Sequence, residues 1–243
     1  VIGPTGAGKS TFINCLLPKD SDQRMIVNHG LASSVDDPKA AEIASFSSHP
    51  RVKGRRLLLL DTPGFDDTLK DDTMVLTSIA NLISNQYCSY STVLGGVIYL
   101  HDITVDRLSA AASRSLQILD HLCGSKVFRN VVLVTTKWNR ETPDRHCERH
   151  ELELRDNYWK PLITQGSSME RFQEESDASK FVDLILSRTS DHGIVLDIQK
   201  EMVDERKSVS ETKAGKTSKR QNEPEKGVKL SFFRRIRRFF FPK

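Results

Sequence analysis

Residues 3–10 read Gly-Pro-Thr-Gly-Ala-Gly-Lys-Ser, and this stretch constrains the fold more than any other in the chain. The pattern Gly-x-x-x-x-Gly-Lys-Ser is a phosphate-binding loop, in which the glycines let the backbone curl until successive N–H groups face one anion. Gly3, Gly6, Ala7 and Gly8 form the curl, and the helix opening near Lys9 adds its positive dipole end. Lys9 is placed to bridge β- and γ-phosphates and Ser10 to hold Mg2+, with Thr11 following. Such a loop hangs from the C-terminal end of a buried strand, yet here only Val1 and Ile2 stand before it. We therefore expect a truncated first strand and a chain whose true start lies upstream.

Beyond the loop, apolar runs alternate with helical patterns. Residues 55–64 (RRLLLLDTPG), 94–102 (LGGVIYLHD) and 127–138 (VFRNVVLVTTKW) read as strands buried on both faces. Residues 71–87 and 109–124 carry apolar side chains at helical spacing, the second opening on Ser and closing on Gly, and further helices are expected over 145–160 and 176–188. Strand, helix, strand, helix, strand predicts an α/β fold: a mostly parallel central sheet covered by helices on both faces.

The strand at 55–61 delivers Asp61, a carboxylate able to hold Mg2+ through water, and Gly64 follows three residues later, where an N–H can meet a γ-phosphate. Strand plus Asp-x-x-Gly is the switch arrangement of P-loop NTPases. Next comes Phe65, which cannot orient water, while Asp66 and Asp67 read either as water-contacting groups or as caps of the next helix. The stretch VVLVTTKWN carries Thr136, Lys137 and Asn139 where G proteins have Asn-Lys-x-Asp or Thr-Lys-x-Asp. That Asp accepts from guanine N1–H and the exocyclic amine. Asn139 accepts one of these bonds and turns a donor toward the other, so guanine preference should be weakened, by about 1–3 kcal/mol for an unpaired buried donor.

The segments GPTGAGKST, LLLLDTPGFDDT, GVIYLH and VTTKW together resemble the septin-like and immunity-associated branch of the P-loop GTPases, especially fungal G-domain proteins. Later stretches, ELELRDNYWKPLITQG, Arg171–Phe172 and ETKAG, extend the likeness through about nine tenths of the chain. The resemblance implies a Ras-like sheet, GTP and Mg2+ as ligands, and dimerisation across the nucleotide face. The sequence departs from the family pattern at Asn139 and at Val35, where relatives tend to have a switch Thr, leaving Ser33 or Ser34 to substitute. Arg107, after the strand at 94–102, is a candidate for a charge-stabilising arginine donated across a dimer, or else a solvated helix start. His101 either faces the nucleotide or packs beneath it.

Charge divides the chain. Residues 205–243 hold 13 Lys and Arg against 4 Asp and Glu, leaving 23 basic and 28 acidic residues in 1–204. Periodicity is lost at the same point, so we expect a G domain over 1–204, a charged flexible linker over 205–228 and a basic amphipathic segment over 229–243. In the last, Phe232, Phe233, Ile236, Phe239 and Phe240 share one helical face, and Arg234, Arg235, Arg237 and Arg238 the other. Residues 229–241 suit an anionic membrane surface, with a nuclear-import or calmodulin-type segment and a functionless tail as the alternatives. The acidic body offers no extended basic face, so no nucleic acid is expected. No apolar run approaches the roughly 18 residues of a membrane span, and Cys15, Cys88, Cys123 and Cys147 form no Cys-x-x-Cys pair. We expect buried, reduced thiols in a cytoplasmic protein. The cluster His146, Cys147 and His150 lacks an apparent fourth ligand.

Two functions fit. One is a GTP-binding switch or assembly module with slow Mg2+-dependent hydrolysis, in which Lys9, Gly64 and Arg107 serve the chemistry. The other is a nucleotide-independent interaction or membrane-tethered module that has kept the fold.

Overall fold

The computed structural model describes residues 1–27, 38–52, 54–65, 71–87, 92–105, 110–139 and 146–219. The sheet is built on three parallel strands, β3 (Val97–Asp102), β4 (Val131–Thr136) and β5 (Ser168–Arg171), in that order. A second pair, β1 (Lys39–Glu42) and β2 (Leu58–Asp61), is antiparallel, with Lys39 opposite Asp61. Residues 1–4 join the two. Ile2 bridges Tyr99 in parallel, its N–H donating to Ile98 O at 2.8 Å and its carbonyl accepting from Leu100 N at 2.9 Å. On the other side the Val1 nitrogen donates to Leu60 O at 2.8 Å, and Pro4 bridges Phe65. The short run before the loop therefore pairs on both edges. Below it, at the start of the strands, a groove of about 420 Å3 opens between Leu57–Leu60 of one wall and Ile98 and Ile185 of the other.

Alternation along β3 and β4 explains the continuous apolar runs. Val97, Tyr99, Val131 and Leu133 enter one core with α2 (Asp72–Tyr87) and α3 (Ala110–Cys123). Ile98, Leu100, Val132 and Val134 enter the other with α1 (Lys9–Asn14) and α6 (Glu175–Arg188). Both faces are covered, as a parallel sheet requires. Gly124 ends α3 at φ 75°, the left-handed conformation that stops a helix. The helical stretch expected over 145–160 is α4 (His146–Glu153), a π-helical turn at Leu154–Tyr158, and α5 (Lys160–Thr164) opening on Pro161.

One expectation is corrected. Residues 205–219 are not a flexible linker: after α7 (Asp197–Gln199) and a π-helical turn to Asp204, a short 3-10 turn at Val209–Glu211 leads into α8 (Lys213–Ser218). Ala214, Gly215, Thr217 and Ser218 are buried, His121 Nδ1 of α3 lies 2.8 Å from Thr217 Oγ1, and Thr73 Oγ1 of α2 lies 3.0 Å from Ser218 Oγ. A Cβ on Gly215 would stand 1.9 Å from Val209 O, so the packing is close and made by small side chains. Residues 220–228 and the amphipathic segment 229–243 lie outside the described residues, as do Ser33, Ser34, Val35, Asp66, Asp67, Cys88 and Arg107. Among the described residues Cys15, Cys123 and Cys147 are in no disulfide, and Cys15 is only half-buried. No helix of the described residues is long and apolar enough to cross a membrane.

Candidate functional site

The loop at 3–10 leaves the sheet between β2 and β3. Its curl is backbone-encoded: Gly3, Gly6 and Gly8 have φ of 148°, 77° and 94°, and a Cβ on Gly3 would lie 2.3 Å from Leu100 O. Only glycine accepts both the conformation and the approach. Ala7 is buried and Thr11 exposed on the outer face of α1. Phe12 anchors that helix, its ring meeting Phe172 edge-on at 5.5 Å and stacking on Phe181 at 6.3 Å.

Lys9 lies buried against its own loop, Nζ donating to Gly3 O at 3.0 Å and Pro4 O at 2.8 Å. Ser10 and Asp61, assigned to the same metal from opposite ends of a 51-residue separation, meet directly: Ser10 Oγ donates to Asp61 Oδ2 at 2.6 Å. Asp61 is fully buried, and its Oδ1 has no hydrogen-bond partner among the described residues. An oxygen pair with one spare buried carboxylate oxygen fits Mg2+, a hard cation that takes few protein ligands and fills its shell with phosphate and water. Among the described residues no group of three or more His, Cys, Asp or Glu gathers into a metal site. His146 and His150 stack edge to face instead, and His150 Nδ1 lies 3.1 Å from Ile103 O.

The Asp-x-x-Gly segment is zipped onto the loop. Phe65 N donates to Gly3 O at 3.3 Å and Thr5 N to Phe65 O at 3.2 Å, while a Cβ on Gly64 would stand 2.3–2.6 Å from Thr5. Gly64 thus lies against the phosphate loop. The Phe65 ring is buried in the core beside Val75 and Ile79 and does not face solvent.

The base-side residues follow β4. Thr136 Oγ1 lies 2.9 Å from Ala7 O and 3.2 Å from His101 O, sharing one hydrogen between a carbonyl of the phosphate loop and one of β3. Lys137 adopts φ 65°, rare for a side chain other than glycine, and its Nζ donates to Asp102 Oδ2 at 2.5 Å. Burial pushes the Asp102 carboxyl up, but hydrogen bonds from Lys137 and Thr104 outweigh it and hold the group below its ordinary value. Asn139 is exposed at the loop tip. His101 packs beneath the site rather than facing it: its ring is buried against Trp159 at 6.0 Å, and burial lowers its pKa to about 4.

Three neighbours of the base loop carry no motif. Asp102 holds Lys137, Arg171 lies over the Trp138 ring at 4.2 Å, and Glu151 of α4 accepts two bonds from Arg171. Only their positions as the last residues of strands could have flagged Asp102 and Arg171. The groove beneath Val1 contains none of the residues assigned to nucleotide.

A glycine-curled phosphate loop, a facing Asp-x-x-Gly and the Thr136–Asn139 turn at the end of a neighbouring strand define a P-loop NTPase fold. The septin family model matches residues 1–94, which hold the loop, Asp61 and Gly64. Solved structures agree on the architecture over most of the chain. A dimerization-deficient mutant of Toc33 from Arabidopsis thaliana superposes with a TM-score of 0.54 at 15% identity, covering 91% of this chain and 84% of that one. The same protein in complex with GDP and Mg2+ gives 0.54 at 14% identity, over 77% and 83% of the two chains. A structure of the chloroplast translocon components atToc33 and psToc159, for which dimerization is described as important for GTPase activity, gives 0.58 at 14% identity, over 80% and 84%. At these identities the likeness establishes the fold. No curated protein matches the chain.

Proposed function

We propose that the chain binds GTP with Mg2+ on the face formed by residues 3–10, 61–64 and 136–139, and hydrolyses it slowly. The observation that carries this is the 2.6 Å contact between Ser10 Oγ and Asp61 Oδ2, with Asp61 Oδ1 buried beside it. Two oxygens brought together from distant segments inside a glycine-curled loop serve a cation and its phosphates better than they serve stability, because a buried carboxylate with an unused oxygen is costly. Bound Mg2+ would neutralise charge on the phosphate oxygens. The chain's own part is to supply the loop N–H groups, to bring Lys9 onto the phosphates in place of Gly3 O and Pro4 O, and to present the Gly64 N–H.

Turnover is slow in this reading because Phe65, the residue after Gly64, is sealed in the core and orients no water. A second reading, an interaction module that keeps the fold without turnover, draws on the same residue. By analogy with the neighbours whose dimerization matters for activity, we extend the proposal to a homodimer across the nucleotide face, with Arg107 donated between copies. We also propose that residues 229–241 bind anionic membrane surface, giving salt-sensitive binding to phosphatidylserine vesicles that Phe233→Glu with Ile236→Glu abolishes.

Calorimetric titration with GTP, ATP and XTP, in Mg2+ and in EDTA, tests the central reading. Mg2+-dependent binding of GTP ahead of ATP is expected; equal heats with and without Mg2+, or none, would overturn it.

A further inference from the structure

The residues that read a base must be held still, and the loop at 137–139 is a short tip whose following segment, 140–145, lies outside the described residues. Lys137 is tied to β3 through Asp102. Trp138, the residue between Lys137 and Asn139, is tied elsewhere. Its Nε1 donates to Thr135 Oγ1 at 2.9 Å, and its ring lies beneath the guanidinium of Arg171, 4.2 Å from the ring centroid. Arg171 stands at the end of β5 in register with Thr135, so the sheet itself delivers it to this place. Glu151 of α4 then fixes the fork of Arg171, accepting from Nε at 2.7 Å and from a second guanidinium nitrogen.

We infer that Arg171 is a positioning residue for base recognition, acting through Trp138, with Glu151 setting its orientation; the inference rests on the nucleotide reading above. The chemistry favours arginine specifically. A planar guanidinium stacks on an indole and offers two parallel N–H groups to a carboxylate at once, whereas a lysine ammonium does neither as well. A partly exposed ion pair adds little stability by itself. Here it spans three elements, β4, β5 and α4, around the loop assigned to the base, and that placement gives it a use.

The test separates base contacts from phosphate contacts. Affinities of the full chain for Mg2+ with GTP, and for Mg2+ with inorganic triphosphate, are measured for the unsubstituted protein, Arg171→Ala, Arg171→Lys, Trp138→Ala and Trp138→Phe. Losing a stacked cation and its bidentate anchor should weaken GTP binding about tenfold. Arg171→Ala and Trp138→Ala should each show that loss with triphosphate binding unchanged, and the double variant should lose no more than either alone. Trp138→Phe, which keeps a ring beneath the guanidinium, should recover most of the affinity, and Arg171→Lys should not. Unchanged GTP affinity in Arg171→Ala, or equal weakening of GTP and triphosphate, would overturn the positioning role while leaving the nucleotide reading intact. An unsubstituted chain that bound neither ligand would overturn the nucleotide reading and this inference with it.

Discussion

The phosphate side and the base side of the candidate site are held by different means. On the phosphate side nearly everything comes from one short run and is fixed by backbone: left-handed glycines, carbonyls that accept Lys9, and Phe65 paired to Gly3 and Thr5. On the base side the loop is fixed by side chains that arrive from three other elements, Asp102 from β3, Arg171 from β5 and Glu151 from α4. A backbone-made site tolerates little change at a few glycines and is otherwise indifferent to its surroundings. A side-chain-made site can drift residue by residue, and the Asn at 139 stands on that side. Thr136 is where the two meet, its hydroxyl touching a carbonyl of each.

The largest expected effect breaks the phosphate side. Lys9→Ala removes the ammonium that would meet the phosphates, and charged hydrogen bonds of about 1.5–3 kcal/mol each put the loss at roughly a hundredfold or more in GTP affinity. Since Lys9 is buried and also donates to Gly3 O and Pro4 O, a smaller drop in unfolding midpoint accompanies it. Retention of affinity in Lys9→Ala would mean that the loop does not bind nucleotide. Gly64→Ala should act in the same direction, because its Cβ would press on Thr5 and force the two segments apart.

A second effect sharpens the comparison from below. His101 lies under the junction, buried, its pKa lowered to about 4 by burial. Its folded form stays neutral while the unfolded chain takes a proton near 6.5. Stability should therefore be fully present above about pH 6.5 and be lost as pH falls toward 4, by about 3 kcal/mol for one such group. Asp102 works in a separate window: its pKa is depressed, so its contribution is present above its unfolded value and is lost only at lower pH. Urea midpoints from pH 7 to pH 4 for the native chain and His101→Phe would show it. The variant should lose most of the pH slope in that range, and equal slopes would mean that His101 is not the group being titrated.

The same division decides what was legible in the amino-acid sequence. The loop, Asp61 and Gly64 are local patterns; the expected burial on both faces holds for β3 and β4 but not for β2, whose Leu58 is exposed and whose Leu59 and Leu60 are half-buried along the groove. Thr136, Lys137 and Asn139 were assigned to the base by their place at the end of an apolar run, and the strand does end at Thr136. The partners of that loop were not legible, since the meeting of Arg171 with Trp138 depends on β5, and β5 reads Ser-Met-Glu-Arg, a half-buried strand with no apolar run. Lys39–Glu42, paired with β2 alone among the described residues, was hidden for a like reason. The stretch 205–219 misled in the opposite sense. Its buried residues are Val209, Thr212, Ala214, Gly215, Thr217 and Ser218, which pack by fitting closely and leave no hydrophobic stripe to find.

A third effect tests the assignment of the base to residue 139. Asn139→Asp replaces one acceptor and one donor by two acceptors opposite the two guanine donors, which should raise selectivity for GTP over ATP by about 1–3 kcal/mol. Because Asn139 is exposed at the tip, the folded state should hardly notice. Competition among GTP, XTP and ATP reads the result. An unchanged ranking in the variant would show that the base is not read at 139.

The smallest effect falls on the join between the sides. Thr136→Val keeps the shape of a buried residue and removes the hydroxyl that lies 2.9 Å from Ala7 O and 3.2 Å from His101 O. One hydrogen shared between two carbonyls contributes about 1 kcal/mol, and the carbonyls left without it add a desolvation cost of similar size. The unfolding midpoint should fall accordingly. If Thr136 only fills space, that fall is the whole result. If it couples the sides, the phosphate loop loses its tie to β4, and affinity for Mg2+ with inorganic triphosphate should drop a few-fold although no phosphate-side residue has changed. A triphosphate affinity identical to that of the native chain would show that the two halves of the site share a sheet but hold their ligands independently.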